Sequence, residues 1–319
     1  MDRSTEGPGE WVSVIIPARN EAPRIAAVIA AVRAQDALGN QVEILVADDG
    51  STDDTADEAR RAGGVVIPLG GNGNPAVARN LGAHAARGST LIFLDADCSP
   101  LPGWLAAHLR AQAQGHPIVG GALSLPAGLG WTARADYFAS AYHVHPGRKG
   151  GPVPNHTPAN LSVAREVFAS TSGFTERFPV ADGHEELGWQ GEAKAAGQVP
   201  WLEPRAAVEH LNRTGLGNLL RRSYRWGYSA IEAKSTSGAS RVRAWFRFPL
   251  LGILGAYPVA LIETGYITVT WILAGRWEAV QFLPVILLSR IVYATAMVIG
   301  GLRWLFRPRG YPGVRPQWR

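Results

Sequence analysis

The chain has 319 residues, enough for one large domain or two smaller ones. Its charge is uneven: residues 1–235 carry a net charge of −3, whereas residues 236–319, with ten arginines and two acidic residues, carry +8. Because these arginines flank long apolar runs, the pattern favours an anionic lipid surface over nucleic acid as a partner. The single cysteine, Cys98, excludes an internal disulfide framework and fits a reducing compartment. The first ten residues are polar, so no signal peptide is expected.

The first hundred residues alternate between short apolar runs and helical patterns. Residues 12–17, 42–47, 65–67 and 91–94 are predicted strands, a first helix is predicted to open at Asn20 and Glu21, and residues 75–87 are predicted to be helical. This alternation is typical of a doubly wound, mainly parallel α/β sheet.

Two of the predicted strands end in acidic residues. Asp48 and Asp49 follow the second strand, and Asp95 and Asp97 follow the fourth. Because the carboxyl ends of parallel strands meet at one edge, these carboxylates are expected to crowd together there. Such like charges need a cation or a donor-rich ligand between them, and the D-x-D spacing suits Mg²⁺ or Mn²⁺ bridging a diphosphate. An isolated D-x-D also fits a plain acidic turn.

The chain has no G-x-G-x-x-G segment and no P-loop. Residues 70–74 are rich in glycine, but no Lys-Ser/Thr follows them, so they are predicted to form a flexible loop. The absence of such a signature argues against nucleotidyl transfer to a sugar phosphate. Arg79, on the next predicted helix, fits either an ordinary surface arginine or a contact with the base and phosphates of a nucleotide.

Four segments, residues 14–21, 48–53, 78–82 and 94–97, stand in the order found in glycosyltransferase family 2, and over residues 11 to about 230 the chain resembles that family. The resemblance implies the GT-A nucleotide-diphospho-sugar transferase fold, a nucleotide-sugar donor and a divalent metal, Mn²⁺ or Mg²⁺. It assigns the following residues to the donor: Pro17, Arg19, Glu21, Asp48, Asp49, Arg79, Asp95 and Asp97. Within this set it assigns Asp95 and Asp97 to the ribose and the metal.

The acceptor side is predicted from the next part of the chain. Residues 118–122 are predicted to form another strand. Residues 143–158 are rich in glycine, proline and histidine and lack periodicity, which predicts either a binding loop or a passive surface loop. Segments 158–163 and 173–178 also resemble the family and imply that Asn160 lies near the acceptor, although an asparagine can equally cap a turn.

Residues 182–190, Asp-Gly-His-Glu-Glu-Leu-Gly-Trp-Gln, are predicted to open a helix. Family members often carry Glu-Asp-x-Glu-Leu-Gly-Trp here, with the Asp as general base of an inverting transfer. In this chain Gly183 and His184 stand in place of Glu-Asp, so His184, Glu185 or Glu186 is the predicted base. The departure leaves open a retaining mechanism or a lost activity, and the acids also fit a role that only stabilises the helix start.

Two later segments resemble the family less closely. His210 ends a predicted strand where family members bring a histidine to the metal, although a lone histidine is usually structural. Arg222-x-x-Arg225-Trp226 partly matches the Gln-x-x-Arg-Trp of processive members, so Arg225 and Trp226 are predicted to contact the acceptor. The same segment fits a basic amphipathic helix on lipid headgroups. The missing glutamine and the small apolar part favour a single transfer.

Residues 248–274 and 280–302 are mostly apolar, with one charged residue each, Glu263 and Arg290. Each run can cross a hydrocarbon core of about 30 Å, and the short turn between them predicts a transmembrane helical hairpin. Glu263 and Arg290 are then expected to meet at the same depth, within the hairpin or between subunits. Arginines on both flanks predict that both ends and the catalytic part are cytoplasmic. The alternative is a buried dimerisation hairpin in a soluble protein.

These patterns predict a polar tail (1–10), a GT-A catalytic domain (11–235), and a juxtamembrane segment with a two-helix membrane anchor (236–319). The predicted function is metal-dependent transfer of one sugar from a nucleotide-sugar donor to an acceptor, lipid or lipid-linked, at the cytoplasmic membrane face. The hairpin also allows a homo-oligomer, and no nucleic-acid partner is expected. The alternative is a nucleotide-sugar-binding membrane protein without transferase turnover.

Overall fold

The computed structural model describes residues 10–71, 74–177, 183–211, 215–236 and 249–306. The predicted tail at 1–9, part of the glycine-rich loop at 72–73, Asp182, and the arginines at 241–247 and 307–319 lie outside the described residues. The described residues form nine strands: β1 (Trp11–Ala18), β2 (Gln41–Asp48), β3 (Val65–Pro68), β4 (Thr90–Leu94), β5 (Cys98–Pro100), β6 (Ile118–Ser124), β7 (Gly151–Pro152), β8 (Asn160–Ala164) and β9 (Trp201–His210).

The helices are α1 (Ala22–Arg33), α2 (Thr55–Arg61), α3 (Pro75–Ala85), α4 (Trp104–Ala113), α5 (Trp131–Ser140), α6 (Arg165–Ala169), α7 (Leu187–Ala195), α8 (Leu216–Thr236), α9 (Pro249–Leu254), α10 (Ala256–Leu273) and α11 (Leu283–Leu305). Short 3₁₀ segments occupy Ala141–His143 and Trp277–Phe282. The long loop predicted at 143–158 is present, with the two residues of β7 as its strand.

All the strands join one mixed sheet with the order β3-β2-β1-β4-β8-β6-β9-β5, and β7 pairs with β9. The first four strands in this order, β3, β2, β1 and β4, run parallel to one another, as the alternation of strands and helices predicted. Beyond β4 the pattern changes, because β8 runs antiparallel to both of its neighbours and β9 pairs antiparallel with β5 and β7. The parallel prediction therefore describes the first half of the sheet, and the second half is mixed.

Both faces of the sheet are buried, as the continuous apolar runs predicted. Along β1, Val14 and Ile16 enter one hydrophobic core with Ile25 and Ile29 of α1. Ile15 enters a second core on the opposite face. This alternation follows from the two-residue period of a strand. It leaves the polar residues after β1, β2 and β4 at the carboxyl edge of the sheet.

The C-terminal hairpin, α10 and α11, packs on the rest of the protein. Helix α11 crosses α8 closely: a Cβ atom on Gly227 would lie 2.1 Å from the carbonyl oxygen of Tyr293, and one on Gly300 would lie 1.9 Å from that of Tyr228. As predicted, Arg290 approaches Glu263 within one chain, at 3.7 Å. By length and composition, Ala256–Leu273 and Trp277–Leu305 are able to cross a membrane.

Candidate active site

A cavity of about 910 Å³ opens at the carboxyl edge of the parallel strands. It collects all but two of the predicted site residues: Pro17, Arg19, Glu21, Asp49, Arg79, Asp95, Asp97, His184, Glu185, Glu186, His210, Arg225 and Trp226. The two exceptions are Asp48 and Asn160. The site is therefore assembled from segments that are distant in sequence.

The turns after β1 and β2 are bound to each other. The side-chain carbonyl of Asn20 accepts from the backbone N–H of Thr52 at 2.8 Å, and the N–H of Glu21 donates to the hydroxyl of Thr55 at 2.7 Å. Asn20 has a φ of 55°, a conformation that asparagine tolerates better than most residues. These bonds place the turn at 17–21 beside the turn at 48–53.

Asp48 and Asp49 have different roles. Asp48 accepts hydrogen bonds from the N–H and the hydroxyl of Ser51, so it caps its own turn and does not line the cavity. Asp49 lines the cavity, accepts from the N–H of Asn74 at 3.0 Å and lies 3.9 Å from Arg19. Neighbouring residues at a strand end point in opposite directions, which explains the difference. The prediction that Asp48 contacts the donor is corrected.

Arg79 joins three elements of the site. It is 4% exposed and donates to Asp95 at 2.6 Å and to Glu185 at 2.9 Å. Burial opposes its charge, but Asp95 and Glu185 raise the pKa of the guanidinium, which stays protonated. Arg79 therefore supplies part of the positive charge that crowded carboxylates require.

A group of potential metal ligands lies where β5 pairs with β9. Nε2 of His210 is 3.7 Å from Oδ1 of Asp97, and the Cys98 sulfur lies within 4.8 Å of these atoms. Burial and the two neighbouring aspartates raise the pKa of Cys98 well above its usual value, and Cys98 does not line the cavity. Thiols are also poor ligands for hard cations such as Mn²⁺ and Mg²⁺. One carboxylate oxygen and one imidazole nitrogen facing a cavity are donors that would suit Mn²⁺. Among the described residues, Asp95 does not join this set, because its carboxylate faces Arg79.

The three predicted bases differ in their environments. Nδ1 of His184 lies 2.8 Å from the hydroxyl oxygen of Ser229. Burial, together with the positive charge of Lys234, lowers the pKa of His184 to about 3. Glu185 is paired with Arg79. Burial and then Glu185 raise the pKa of Glu186 to about 8. The backbone N–H of Glu186, which donates to this carboxylate, and the charge of Arg79 oppose the rise only in part, so Glu186 is a much stronger base than His184.

Gly183 has a structural reason for standing where the family carries an acid. A Cβ atom there would lie 1.9 Å from Cδ1 of Trp226, and its φ of +143° disfavours other residues. Arg222 stacks over Trp226 at 4.7 Å and pairs with buried Asp136 of α5. The indole therefore fills the space that a side chain at 183 needs.

Asn160 is not an acceptor contact. It is fully buried; its amide nitrogen donates to the carbonyls of Ala122 and Ala206 at 3.1 and 2.8 Å, and its amide oxygen accepts from Trp104 Nε1 at 2.8 Å. The amide oxygen also lies 3.0 Å from His108. The prediction is corrected: these contacts tie β8 to β6, β9 and α4, and Asn160 does not line the cavity.

The cavity lining also contains residues that sequence reasoning missed. Tyr142 and Tyr266 line it, with ring centroids 5.9 Å apart, and Tyr266 comes from the hairpin. Lys234 also lines it and donates to the Tyr293 hydroxyl at 3.2 Å. Although burial opposes the charge, Tyr293 and Glu263 raise the pKa of Lys234. The sequence held two signals that could have identified these residues. Lys234 is a lysine close to the end of α8, and Tyr266 is a tyrosine within an apolar run.

The mixed sheet, with an acidic turn and a histidine at the edge of a large cavity, defines a nucleotide-sugar transferase of the GT-A fold. The model for the family described as "Glycosyl transferase family 2" matches residues 13–169. Glycosyltransferase AglE of Haloferax volcanii is 30% identical over 257 residues, covering 78% of this chain and 82% of that protein. The chain belongs to glycosyltransferase family 2.

Two further comparisons agree with this assignment. The undecaprenyl-phosphate 4-deoxy-4-formamido-L-arabinose transferase of Edwardsiella ictaluri is 33% identical over 124 residues, covering 35% of this chain and 36% of that protein. The mannosyltransferase PcManGT of Pyrobaculum calidifontis, solved in complex with GDP-Man and Mn²⁺, has a TM-score of 0.60 at 18% identity, with 93% and 90% of the chains covered. This structural likeness shows the shared fold.

Proposed function

We propose that the protein transfers a single sugar from a nucleotide-sugar donor to a lipid-linked acceptor at the cytoplasmic face of the membrane, with a divalent metal. The observation that carries this proposal is the continuous cavity. Its lining includes the donor-motif residues Arg19, Asp95 and Asp97 together with Tyr266 of the apolar hairpin. A donor and an acceptor with an apolar tail can therefore meet in one space.

At the donor end, Arg19, Glu21 and Asp49 lie together and are suited to the nucleoside. Asp95 is assigned to the ribose, held in place by Arg79. Asp97 and His210 would hold the metal, and Mn²⁺ fits their mixed oxygen and nitrogen donors better than Mg²⁺ does. When bound, the metal offsets negative charge on the departing nucleoside diphosphate.

At the acceptor end, cationic and aromatic side chains occur together. Arg148, Arg225 and Lys234 line the cavity along with Trp226 and Tyr266. Cations suit a phosphate group of the acceptor, and aromatic rings suit the face of a sugar or an apolar chain. Two relatives are named for lipid acceptors, undecaprenyl phosphate and 4,4'-diaponeurosporenoate. These features support a lipid-linked acceptor for this chain.

The role of general base is assigned to Glu186. As the acceptor oxygen attacks the anomeric carbon, the Glu186 carboxylate takes the hydroxyl proton, and the bond to the diphosphate oxygen breaks on the opposite side. This single displacement inverts the anomeric centre. A pKa of about 8 makes Glu186 a far better proton acceptor than His184, whose pKa of about 3 keeps it a weak base. Glu185 stays paired with Arg79 and acts as a positioning residue.

The test is release of nucleoside diphosphate by the purified full chain, with Mn²⁺, a native lipid extract and a panel of nucleotide-sugar donors. We expect turnover with one donor, and loss of turnover in Asp97→Ala but not in the surface control Asp57→Ala. Retained turnover in Asp97→Ala contradicts the metal assignment. Donor binding without turnover on any acceptor, unchanged by His184→Asp, supports the alternative of a binding protein.

A further inference from the structure

We propose that the hairpin lies along the membrane surface, in the plane of the interface, and does not cross the bilayer. The turn between α10 and α11 is the critical place, because a crossing hairpin puts its turn on the opposite side from both ends. Here Glu278 of the turn pairs with Arg134 of α5 at 3.0 Å and also with Arg276. The turn is therefore attached to the same body that carries the donor site.

Helix α5 is itself fixed to the sheet. The hydroxyl of Tyr137 donates to the carbonyl of Leu123 in β6 at 3.1 Å. Trp271, near the end of α10, donates through Nε1 to the carbonyl of Phe138 at 2.8 Å, and Phe282 stacks on Phe138 at 5.1 Å. The end of α10 and the start of α11 thus lie directly against a helix bound to the sheet.

The other end of α11 also contacts the α/β part of the chain. Arg303 donates to the hydroxyl of Tyr228, and Gly300 lies against the backbone of the same tyrosine. A helix of 23 residues is about 34 Å long, enough to separate the two faces of a bilayer. Since both ends of α11 are bound to α5 and α8, the two ends stay on one side of the membrane unless these helices enter it as well.

The exposure of α10 follows one side of the helix. Its buried positions recur every three or four residues: Ala256, Ala260, Thr264, Ile267 and Trp271. Tyr257, Leu261, Ile262, Val269 and Leu273 are exposed. A helix with one face packed on protein along its whole length and one apolar face left open matches a helix resting in the membrane interface.

The net charge of the C-terminal region indicates which partner covers the exposed apolar face of α10. Arginines flank the hairpin in the sequence, and residues 236–319 together carry a net charge of +8. Chain connectivity keeps the nearest of these arginines close to the ends of the hairpin, where anionic lipid headgroups complement them and a second copy would bring like charge against like charge. We therefore assign the exposed face of α10 to an anionic bilayer surface. This inference does not depend on catalysis, because its tests measure topology and lipid binding rather than turnover.

Topology is tested in the full chain with Trp277→Cys, since Trp277 lies in the turn and is 68% exposed. The native Cys98 is fully buried and gives little background labelling. In sealed inside-out vesicles from a bacterial host, a membrane-impermeant maleimide should label Trp277→Cys and the cytoplasmic control Asp57→Cys alike. Absence of labelling at position 277, in vesicles that label position 57, overturns the proposal.

Lipid binding is tested by flotation of purified protein with vesicles of phosphatidylcholine alone or with phosphatidylglycerol. We expect binding that requires the anionic lipid, and a loss of about tenfold or more in Ile262→Glu and Leu273→Glu, because each places a charge on the open apolar face. Val65→Glu, on an exposed apolar residue of β3, is the matched control. Equal binding of all three variants, or a wild-type dimer that ignores both vesicle types, contradicts the assignment. Circular dichroism checks that the variants fold.

Discussion

Nε2 of His210 lies 3.7 Å from Oδ1 of Asp97, although the two residues are more than a hundred positions apart in the chain. The register of the sheet produces this contact. Cys98 stands opposite His210 in the antiparallel pairing of β5 with β9, and the N–H of Leu211 donates to the Asp97 carbonyl at 2.9 Å. The three-residue strand after the acidic turn thus aligns the carboxylate with the imidazole.

The first prediction concerns this pair. His210→Ala should weaken Mn²⁺ binding about tenfold or more, because it removes one of the two protein ligands, and Asp97→Asn should weaken it further. The measurement is Mn²⁺ titration by electron paramagnetic resonance with UDP or GDP present. His84→Ala, on an exposed histidine of α3, is the control. Equal Mn²⁺ dissociation constants for the two alanine variants contradict the ligand role.

The second prediction concerns the base. Glu186→Gln should lower kcat by about 10²- to 10⁴-fold, the usual contribution of a positioned general base. Since the base acts in its ionised form and burial raises the pKa of Glu186 to about 8, wild-type kcat/KM should rise with pH and level off above that value. The rise should disappear in Glu186→Gln and persist in Glu58→Gln of α2. A larger loss in His184→Asn than in Glu186→Gln identifies His184 as the base instead.

The third prediction concerns stability. Arg79→Met leaves Asp95 and Glu185 without their shared cation, and removal of one partner from a buried ion pair costs about 3–5 kcal/mol. Because Asp95 is partly exposed, we expect the lower end of this range, about 3 kcal/mol, in urea unfolding followed by tryptophan fluorescence. Arg60→Met breaks an exposed pair with Asp57 and should cost at most about 1 kcal/mol. Similar unfolding midpoints for the two variants contradict a structural role for Arg79.

The fourth prediction concerns Gly183 and Trp226. Gly183→Ala should destabilise the fold by about 1–3 kcal/mol, because its methyl group overlaps the indole. The loss of stability caused by Gly183→Ala should be smaller in a protein that already carries Trp226→Ala. Only the strain of the backbone at φ +143° should then remain. Gly217→Ala of α8, where a Cβ meets open space, is the control. Additive effects of the two changes show that the residues do not interact.

The gathering of the acidic turns in one cavity was predictable because its signals are local. Each acidic turn directly follows an apolar strand, and the carboxyl ends of parallel strands share one edge. The position of Arg79 was narrowed only to two possibilities, a surface residue or a nucleotide contact. The structure buries it between Asp95 and Glu185, one adjacent to the donor turn and the other more than a hundred residues away. Whether Arg79 is buried or exposed depends on Glu185, a partner distant in the sequence, and no local sequence pattern identifies it.

The errors have the same origin. Asp48 and Asn160 are residue types common at binding sites, and the family pattern placed both near ligands. The structure directs Asp48 to Ser51, and it directs Asn160 to the carbonyls of Ala122 and Ala206. Short polar side chains satisfy whichever partner the folded backbone presents, so their role follows from neighbouring strands that the sequence does not identify.

Residue order alone determined the family, the acidic edge of the sheet and the presence of two long apolar helices, since strand and helix periodicities and strand-end turns are written in neighbouring residues. Tertiary structure alone decided that Asp49 and not Asp48 lines the cavity, that Arg79 joins Asp95 to Glu185, and that the hairpin turn returns to α5. These outcomes depend on contacts between distant segments, and hydrophobicity has no direction: an apolar helix buries its surface equally well against lipid or against protein.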